Sequence, residues 1–352
     1  MNKVGTQQLT TGEVNMQASV SPVKFFETMH AYQQTAALKA AIELELFTEI
    51  EAGTGTVADV AQRIGAPERG VRAICDFLVI CGFLDKKLDK PDARYTLTPD
   101  SAMFLSKKSA AYLGSATIFL ANESVTEPFR DLAAVVCAGG PVKSNPGVDQ
   151  ELPMWADFAR GMAPLMHIVA EQTEKLIRSE SPAKVLDLAA GHGLFGIMVA
   201  KKNPKAKVVA LDWPSVLTVA HENAMKFGVS ERHALLAGNA LEVSFGEGYD
   251  VALVTNLLHH WDRTTIHFFL RKVREALVPG GRVVIVEFAP NDDRVTPPPS
   301  ASFVLNMFAN TPGGDAYTVS EHLEMLRTAG FSDAEVHALP PTPQTAIIAV
   351  KQ

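Results

Sequence analysis

VLDLAAGHGLFGIMVA, residues 185–200, sets a glycine loop between two apolar runs. KVLDLA (184–189) reads as a short buried strand, and LFGIMVAKKN (194–203) as a helix. Gly191, Gly193 and Gly196 satisfy G-x-G-x-x-G. Glycines at such a turn let backbone approach a ligand, and the free N–H groups of a helix start face it. More than one nucleotide-containing cofactor is held this way, so the loop alone leaves the ligand open.

Outward from the loop, strands and helices alternate. KVVALD (207–212), HALLAG (233–238), DVALVTNLL (250–258) and GRVVIVEFA (281–289) are strand-like, with helical text between them. That order predicts a parallel, doubly wound α/β sheet. AEVHAL (334–339) and TAIIAVK (345–351) are joined only by PPTPQ. So short a link cannot hold a crossover helix, so the chain should end in an antiparallel hairpin. The expected sheet has seven strands.

Before residue 180 almost everything reads as helix. Residues 24–50 have helical apolar spacing, and 56–84 read as helix, turn, helix around Gly65-Ala66-Pro67. DKKLDKPDARYTLTP (85–99) adds two extended pieces around a Pro-Asp turn, completing a winged-helix outline. Such a unit can read DNA with its second helix. Here that helix is mostly apolar and carries only Arg69 and Arg72 as cations, so dimerisation is the expected role. The domain reading is a polar, disordered tail over 1–21, a dimerisation domain over 22–110, a helical linker over 111–180 and the α/β domain over 181–352.

The 352 residues are 47% hydrophobic and 20% charged, with net charge −7. These values suit a globular protein and disfavour non-specific binding to nucleic acid or anionic membrane. Cys75, Cys81 and Cys137 are too few and scattered for a disulfide framework, which points to a reducing cytoplasm. The polar first twenty residues lack a secretory signal's apolar core, and no stretch has the apolar length of a membrane span.

Asp212 ends the second strand about twenty residues past the first loop glycine, where an acid reaches ribose hydroxyls. Asp187, just before the loop, would repel a pyrophosphate but can meet a cationic ligand. S-adenosylmethionine carries an ammonium and a sulfonium. A nicotinamide oxidoreductase predicts neither Asp187 nor the terminal hairpin. TNLLHHWD (255–262) closes the fourth strand with a histidine pair.

VLDLAAGHG (185–193), LDWP (211–214), GNAL (238–241), NLLHHWD (256–262), LVPGGRVVIVEF (277–288) and GGDAYT (313–318) together resemble the class I small-molecule O-methyltransferases that dimerise through an N-terminal winged helix. The likeness runs from about residue 22 to the end and looks closest to bacterial members. It implies a homodimer, S-adenosylmethionine as cofactor and a small, aromatic methyl acceptor. The cofactor set it implies is Asp187, Gly191, Gly193, Asp212, Trp213, Gly238, Asn239, Ala240 and Asn256. The family loop reads D-x-G-G-G-x-G; Ala189 and Ala190 replace its first two glycines and fit if they keep negative φ. His259 takes the place of the family's catalytic histidine, oriented by Glu287, while His260 should point away. The second supporting glutamate of the family falls on Ala316, with Asp315 beside it. That departure leaves open a carbon or nitrogen acceptor with a more acidic proton, or a non-catalytic cofactor-binding regulator. The acceptor pocket is expected from Trp155, Phe158, Met162, Met166, His167, Phe303, Met307 and Phe308, with Phe26 and Met29 entering from a partner subunit. His192 is assigned no catalytic role, and no metal site is expected.

Overall fold

A computed structural model describes residues 20–88, 93–143, 147–177, 182–332 and 334–352. The polar tail up to residue 19 and the Pro-Asp turn lie outside the described residues. The chain forms two compact units, one ending at Ser101 and one running from Ala102 to Gln352.

The first unit contains α1 (Val23–Glu43), α2 (Leu46–Ala52), α3 (Val57–Ile64), α4 (Glu68–Ile80) and the antiparallel pair β1 (Leu84–Leu88) and β2 (Ala93–Leu97). Thr56 caps α3 by accepting from Asp59 N, and Gly65 stops it at φ 67°. α4 buries Val71, Cys75 and Leu78 and leaves Ile80 exposed. On α1 only Ala41 is buried, while Phe25, Phe26, Met29 and Tyr32 are each more than half exposed.

α5 (Pro99–Phe104) leads into the second unit, which starts with the short helices α6 (Thr117–Leu120), α7 (Glu123–Thr126) and α8 (Leu132–Ala138). The long α9 (Met154–Ile177) packs on α10 (Leu194–Lys202) and α11 (Pro214–Lys226). The stretch read as a linker is therefore part of the α/β unit. The sheet takes its strands from β3 (Lys184–Leu188), β4 (Lys207–Asp212), β5 (His233–Ala237), β6 (Tyr249–Thr255), β7 (Leu277–Glu287), β8 (Glu335–Ala338) and β9 (Thr345–Val350). Their order is β5-β4-β3-β6-β7-β9-β8. The first five are parallel, and β9 runs antiparallel to both its neighbours.

Alternate strand residues fill two cores. Leu186, Leu188, Ala252, Val254, Val283 and Ile285 face α12 (Arg263–Ala276) and α15 (Val319–Thr328). Val185, Val251, Leu253, Val284 and Val286 face α9 and α10. Both faces are covered, which explains why the strands read as continuous apolar runs. α13 (Pro298–Ala301) and α14 (Phe303–Asn310) precede α15, which opens on a reciprocal Thr318–Glu321 capping box. The carboxyl ends of β3, β4, β6 and β7 converge at one edge, where open parallel sheets bind ligands.

Candidate active site

The loop after β3 turns on Ala189, which sits at φ +49°. The expected negative φ is corrected here: this alanine occupies the left-handed region that glycine adopts without cost. Ala190 is buried outside that region. Left-handed backbone costs an L-residue about 1–2 kcal/mol. Replacing Ala189 by glycine removes that strain but adds freedom to the unfolded chain, so the net gain is about 1 kcal/mol or less. The expected result is a melting temperature raised by about 2 °C; a lower one in calorimetry would show that the alanine is not strained.

Several amides of this loop already have partners. Gly191 N donates to Asp212 Oδ2 at 2.8 Å, Gly193 N to Ala190 O at 2.7 Å, Leu194 N to His192 Nδ1 at 3.2 Å and Gly196 N to Asp187 Oδ2 at 2.9 Å. A phosphate cradle needs such groups free. With two carboxylates also bonded to it, the loop is built for a ligand other than a pyrophosphate. Gly196 is required for packing, since a Cβ there would lie 2.7 Å from Val208 Cγ1. Gly193, at φ +73°, begins α10.

Asp187 is fully buried beneath the loop and does not line the cleft. Its Oδ1 has no partner among the described residues, and burial raises its pKa to about 7. His192 is buried, stacks on Phe195 and is held neutral by burial at a pKa of about 4, which makes it a loop-packing residue.

Above the loop lies a cleft lined by Ala189, Gly191, Leu211, Asp212, Trp213, Val216, Gly238, Asn239, Ala240, Asn256 and Leu257. Val148, Trp155, Phe158, His260 and Trp261 complete it. Asp212 ends β4 with Oδ1 accepting from Trp213 N at 2.7 Å. Burial pushes its carboxyl up to about 6, against the lowering effect of the Gly191 and Trp213 amides. Trp213 packs with Trp155 and Val216, and its Nε1 donates to Val148 O. Asn239 Oδ1 accepts from Leu241 N at 2.8 Å, leaving one lone pair for a ligand. Asn256 stands at φ +51°, and its buried Oδ1 has no partner among the described residues. Asparagine is among the few residues that enter this region readily.

β6 passes through Asn256 into a tight turn over Leu258–His260. Glu287, the last residue of β7, holds that turn: its Oε1 accepts from Leu257 N at 2.8 Å and Leu258 N at 2.7 Å. Its Oε2 lies 2.6 Å from His259 Nδ1, and both side chains are buried. Burial raises the Glu287 carboxyl, but His259 and the backbone donors outweigh it and leave the group below its usual value. An ionised carboxylate only accepts, so the proton of this contact lies on His259 Nδ1. The ring meets the edge of Phe303 at 4.9 Å, and Phe303 stacks on Phe288.

The GGDAYT loop supports the histidine through its backbone. Asp315 N donates to His259 O at 3.1 Å, and a Cβ on Gly314 would clash with that oxygen. Tyr317 donates to Trp261 O at 2.7 Å. The Asp315 carboxylate accepts from Arg294, 3.1 Å away, so it is not a second support for the imidazole. Ala316 is buried. Another buried histidine, His322, is coupled to Glu287 and held at a pKa of about 4 by burial; sequence reading did not single it out.

His260 does not point away. It lines the cleft and also a neighbouring cavity of about 860 Å³, with Phe119, Trp155, Met307 and Thr311 among that cavity's walls. Of the expected acceptor residues, Trp155 and Met307 line this cavity, Phe158 lines the cleft, and Phe303 abuts His259. Met166 is buried with its sulfur 3.7 Å from Asn256 Nδ2. Met162 packs into the core under α9, and His167 stacks on Phe227 beside Glu171, so neither lines the cleft or the cavity. Phe308 lines a separate outer groove with Arg263 and Arg294. Val148 and Asp149 were missed: Val148 walls the cleft, and Asp149 accepts from Trp261 Nε1 at 2.9 Å. Among the described residues no group of three or more His, Cys, Asp or Glu is placed to hold a metal ion, and no helix is long and apolar enough to cross a membrane.

The O-methyltransferase domain model matches residues 147–332, and the O-methyltransferase dimerisation domain model matches residues 26–107. The chain belongs to the O-methyltransferase family. As a class I enzyme of that family it is a methyltransferase that uses S-adenosylmethionine. Phe26, Met29 and Tyr32, exposed on α1, fall within the dimerisation match, which supports homodimer formation. This O-methyltransferase is 46% identical to a protein from Nostoc punctiforme assigned to the O-methyltransferases, with TM-score 0.91, over 95% of this chain and 100% of that one. It is 27% identical to the 3-hydroxy-5-methyl-1-naphthoate 3-O-methyltransferase of Streptomyces sahachiroi, over 85% of this chain and 86% of the relative. Human N-acetylserotonin methyltransferase, solved with S-adenosylmethionine, shares its fold at TM-score 0.84 and 21% identity, over 96% of this chain and 99% of that one.

Proposed function

We propose that this chain transfers a methyl group to a hydroxyl of a small aromatic molecule, with His259 as general base and Glu287 as its orienting partner. The observation that carries the reading is the buried 2.6 Å His259–Glu287 contact beside a cleft floored by Asp212. The cleft's residues fit S-adenosylmethionine. Asp212 offers a carboxylate to ribose hydroxyls, and Leu211, Val216 and Ala240 offer apolar walls for an adenine. Asn256, which lines the cleft with Gly191, Gly238 and Asn239, is assigned to the cationic amino-acid end. Asp187 and Gly193 act one layer deeper, by holding α10 against the loop. We assign the segment up to Ser101 to dimerisation and the rest to catalysis.

The bound cofactor supplies a methyl group activated on positively charged sulfur. What the protein must add is alignment and removal of one proton. A phenol with pKa near 10 loses its proton to a neutral imidazole with pKa near 6.5 only as the oxygen attacks. His259 Nε2 takes that proton, and the Glu287 carboxylate stabilises the imidazolium. Aligning the two reactants contributes several kcal/mol more, out of about 7–11 kcal/mol available to this effect. Phe119, Trp155 and Met307 give the acceptor cavity an apolar wall suited to a flat ring. Lack of a carboxylate at Ala316 and the Asp315–Arg294 pair favour a second reading, transfer to an enolic carbon, whose proton needs less help. Radiolabelled methyl transfer to a panel of phenols and keto acids, followed by mass analysis of the methylated atom, separates the two.

A pH dependence follows for the donor site. Ribose hydroxyls donate to an ionised Asp212, whereas a proton on it competes with them. Its pKa is raised to about 6, so affinity for S-adenosylhomocysteine should be flat above that pH. It should weaken as pH falls through 6, by about tenfold per unit once well below. Calorimetry between pH 5 and 8 checks this, and affinity that rises on acidification would remove Asp212 from the site.

A further inference from the structure

Among the described residues, Trp155 and His260 alone line both the donor cleft and the large cavity beside it. Their rings stand edge to face, 6.2 Å apart at 82°, and form the shared wall between the two spaces. On the methyl-transfer reading the methyl group crosses at this wall, because reacting atoms must come within about 3–3.5 Å. Each ring carries a buried nitrogen without a partner among the described residues, Trp155 Nε1 and His260 Nδ1. Buried polar groups are nearly always satisfied, so two orphans on one wall point to a ligand atom that completes them. An indole N–H only donates, and a neutral imidazole donates from one nitrogen. Burial and the neighbouring His259 ring keep His260 neutral. The indole N–H and the Nδ1–H tautomer of His260 then present two donors, which match a group that only accepts.

We propose that Trp155 and His260 together recognise a carbonyl oxygen of the acceptor, placed next to the hydroxyl that is methylated. The proposal rests on the methyl-transfer reading above and names the substrate class for it: an aromatic hydroxyl flanked by a carbonyl. The His259 and His260 ring centroids are 4.4 Å apart, so one histidine takes the proton while its neighbour holds the adjacent oxygen.

The test uses the full-length protein saturated with S-adenosylhomocysteine. It is titrated with salicylamide, which has a carbonyl beside its hydroxyl, and with ortho-ethylphenol, which has no second oxygen. Wild type should prefer salicylamide by about tenfold or more, since a site built to hydrogen-bond an oxygen rejects the analogue lacking it. Trp155→Phe and His260→Phe should each bring that preference below about twofold, whatever the absolute affinities. A purely structural role would weaken both ligands together and leave the ratio intact, which overturns the proposal. Equal binding of the two ligands by wild type, or binding of neither, also overturns it. In those cases S-adenosylhomocysteine binding by the same sample shows that the donor reading stands alone; failure of that binding shows that both readings fall.

Discussion

His259→Gln should lower kcat by about 10²- to 10⁴-fold, the usual contribution of a positioned general base. Glutamine keeps a polar group near the turn but cannot take a proton at neutral pH. S-adenosylhomocysteine affinity should hold within about threefold, because His259 packs on Phe303 and Glu287 and does not line the donor cleft. Glu287→Gln should cost a similar order in kcat by losing the charge that fixes the tautomer. It should also cost stability, because Glu287 accepts the Leu257 and Leu258 amides in a buried turn. Rates of methyl transfer for His259→Gln that stay within a factor of about three of wild type would remove the general-base role.

Asp212→Ala should weaken S-adenosylhomocysteine by about a hundredfold or more. Hydrogen bonds to a charged group contribute about 1.5–3 kcal/mol each, and a ribose edge offers two hydroxyls. The side chain also holds the loop, through Gly191 N and Trp213 N. Its loss leaves two amides unpaired and frees the turn at Ala189, so part of the effect is loss of preorganisation. Asp212→Asn separates the contributions: its amide oxygen accepts from one backbone donor but carries no charge. Expected is an affinity between those of wild type and Asp212→Ala. Undiminished binding by Asp212→Ala in calorimetry would place the donor elsewhere.

Much of the fold is legible because its signals are local. Strands buried on both faces, such as KVLDL and DVALV, show as apolar runs between glycine, proline and polar breaks. PPTPQ is too short for anything but an antiparallel return, and β8 pairs β9 that way. Asp212 and Gly191 are legible because strand, loop and strand-end acid recur at fixed spacing. The misreadings have physical causes. His260 was expected to oppose His259 as on a strand, where successive side chains alternate by 180°. The turn over Leu258–His260 has three residues per revolution, so neighbours diverge by only about 120° and His260 swings into the wall. Val148 and Asp149 reach Trp213, Trp261 and Asn239 across sixty-five to more than a hundred positions, so no local pattern marks them. His167 shares helix α9 with Trp155, but twelve residues on it stacks on Phe227 at the C-terminal end of α11. Ala189 carries no sequence sign of its left-handed φ beyond standing where the family keeps glycine.

The most direct measurement is calorimetric titration of the wild-type protein with S-adenosylhomocysteine at pH 8, with Asp212→Ala alongside. Expected is one site per chain with micromolar affinity, lost in the variant. No heat and no shift in melting temperature at millimolar ligand would contradict the assignment of the cleft, and His259 with Glu287 would then be a packed, hydrogen-bonded pair at the end of two strands.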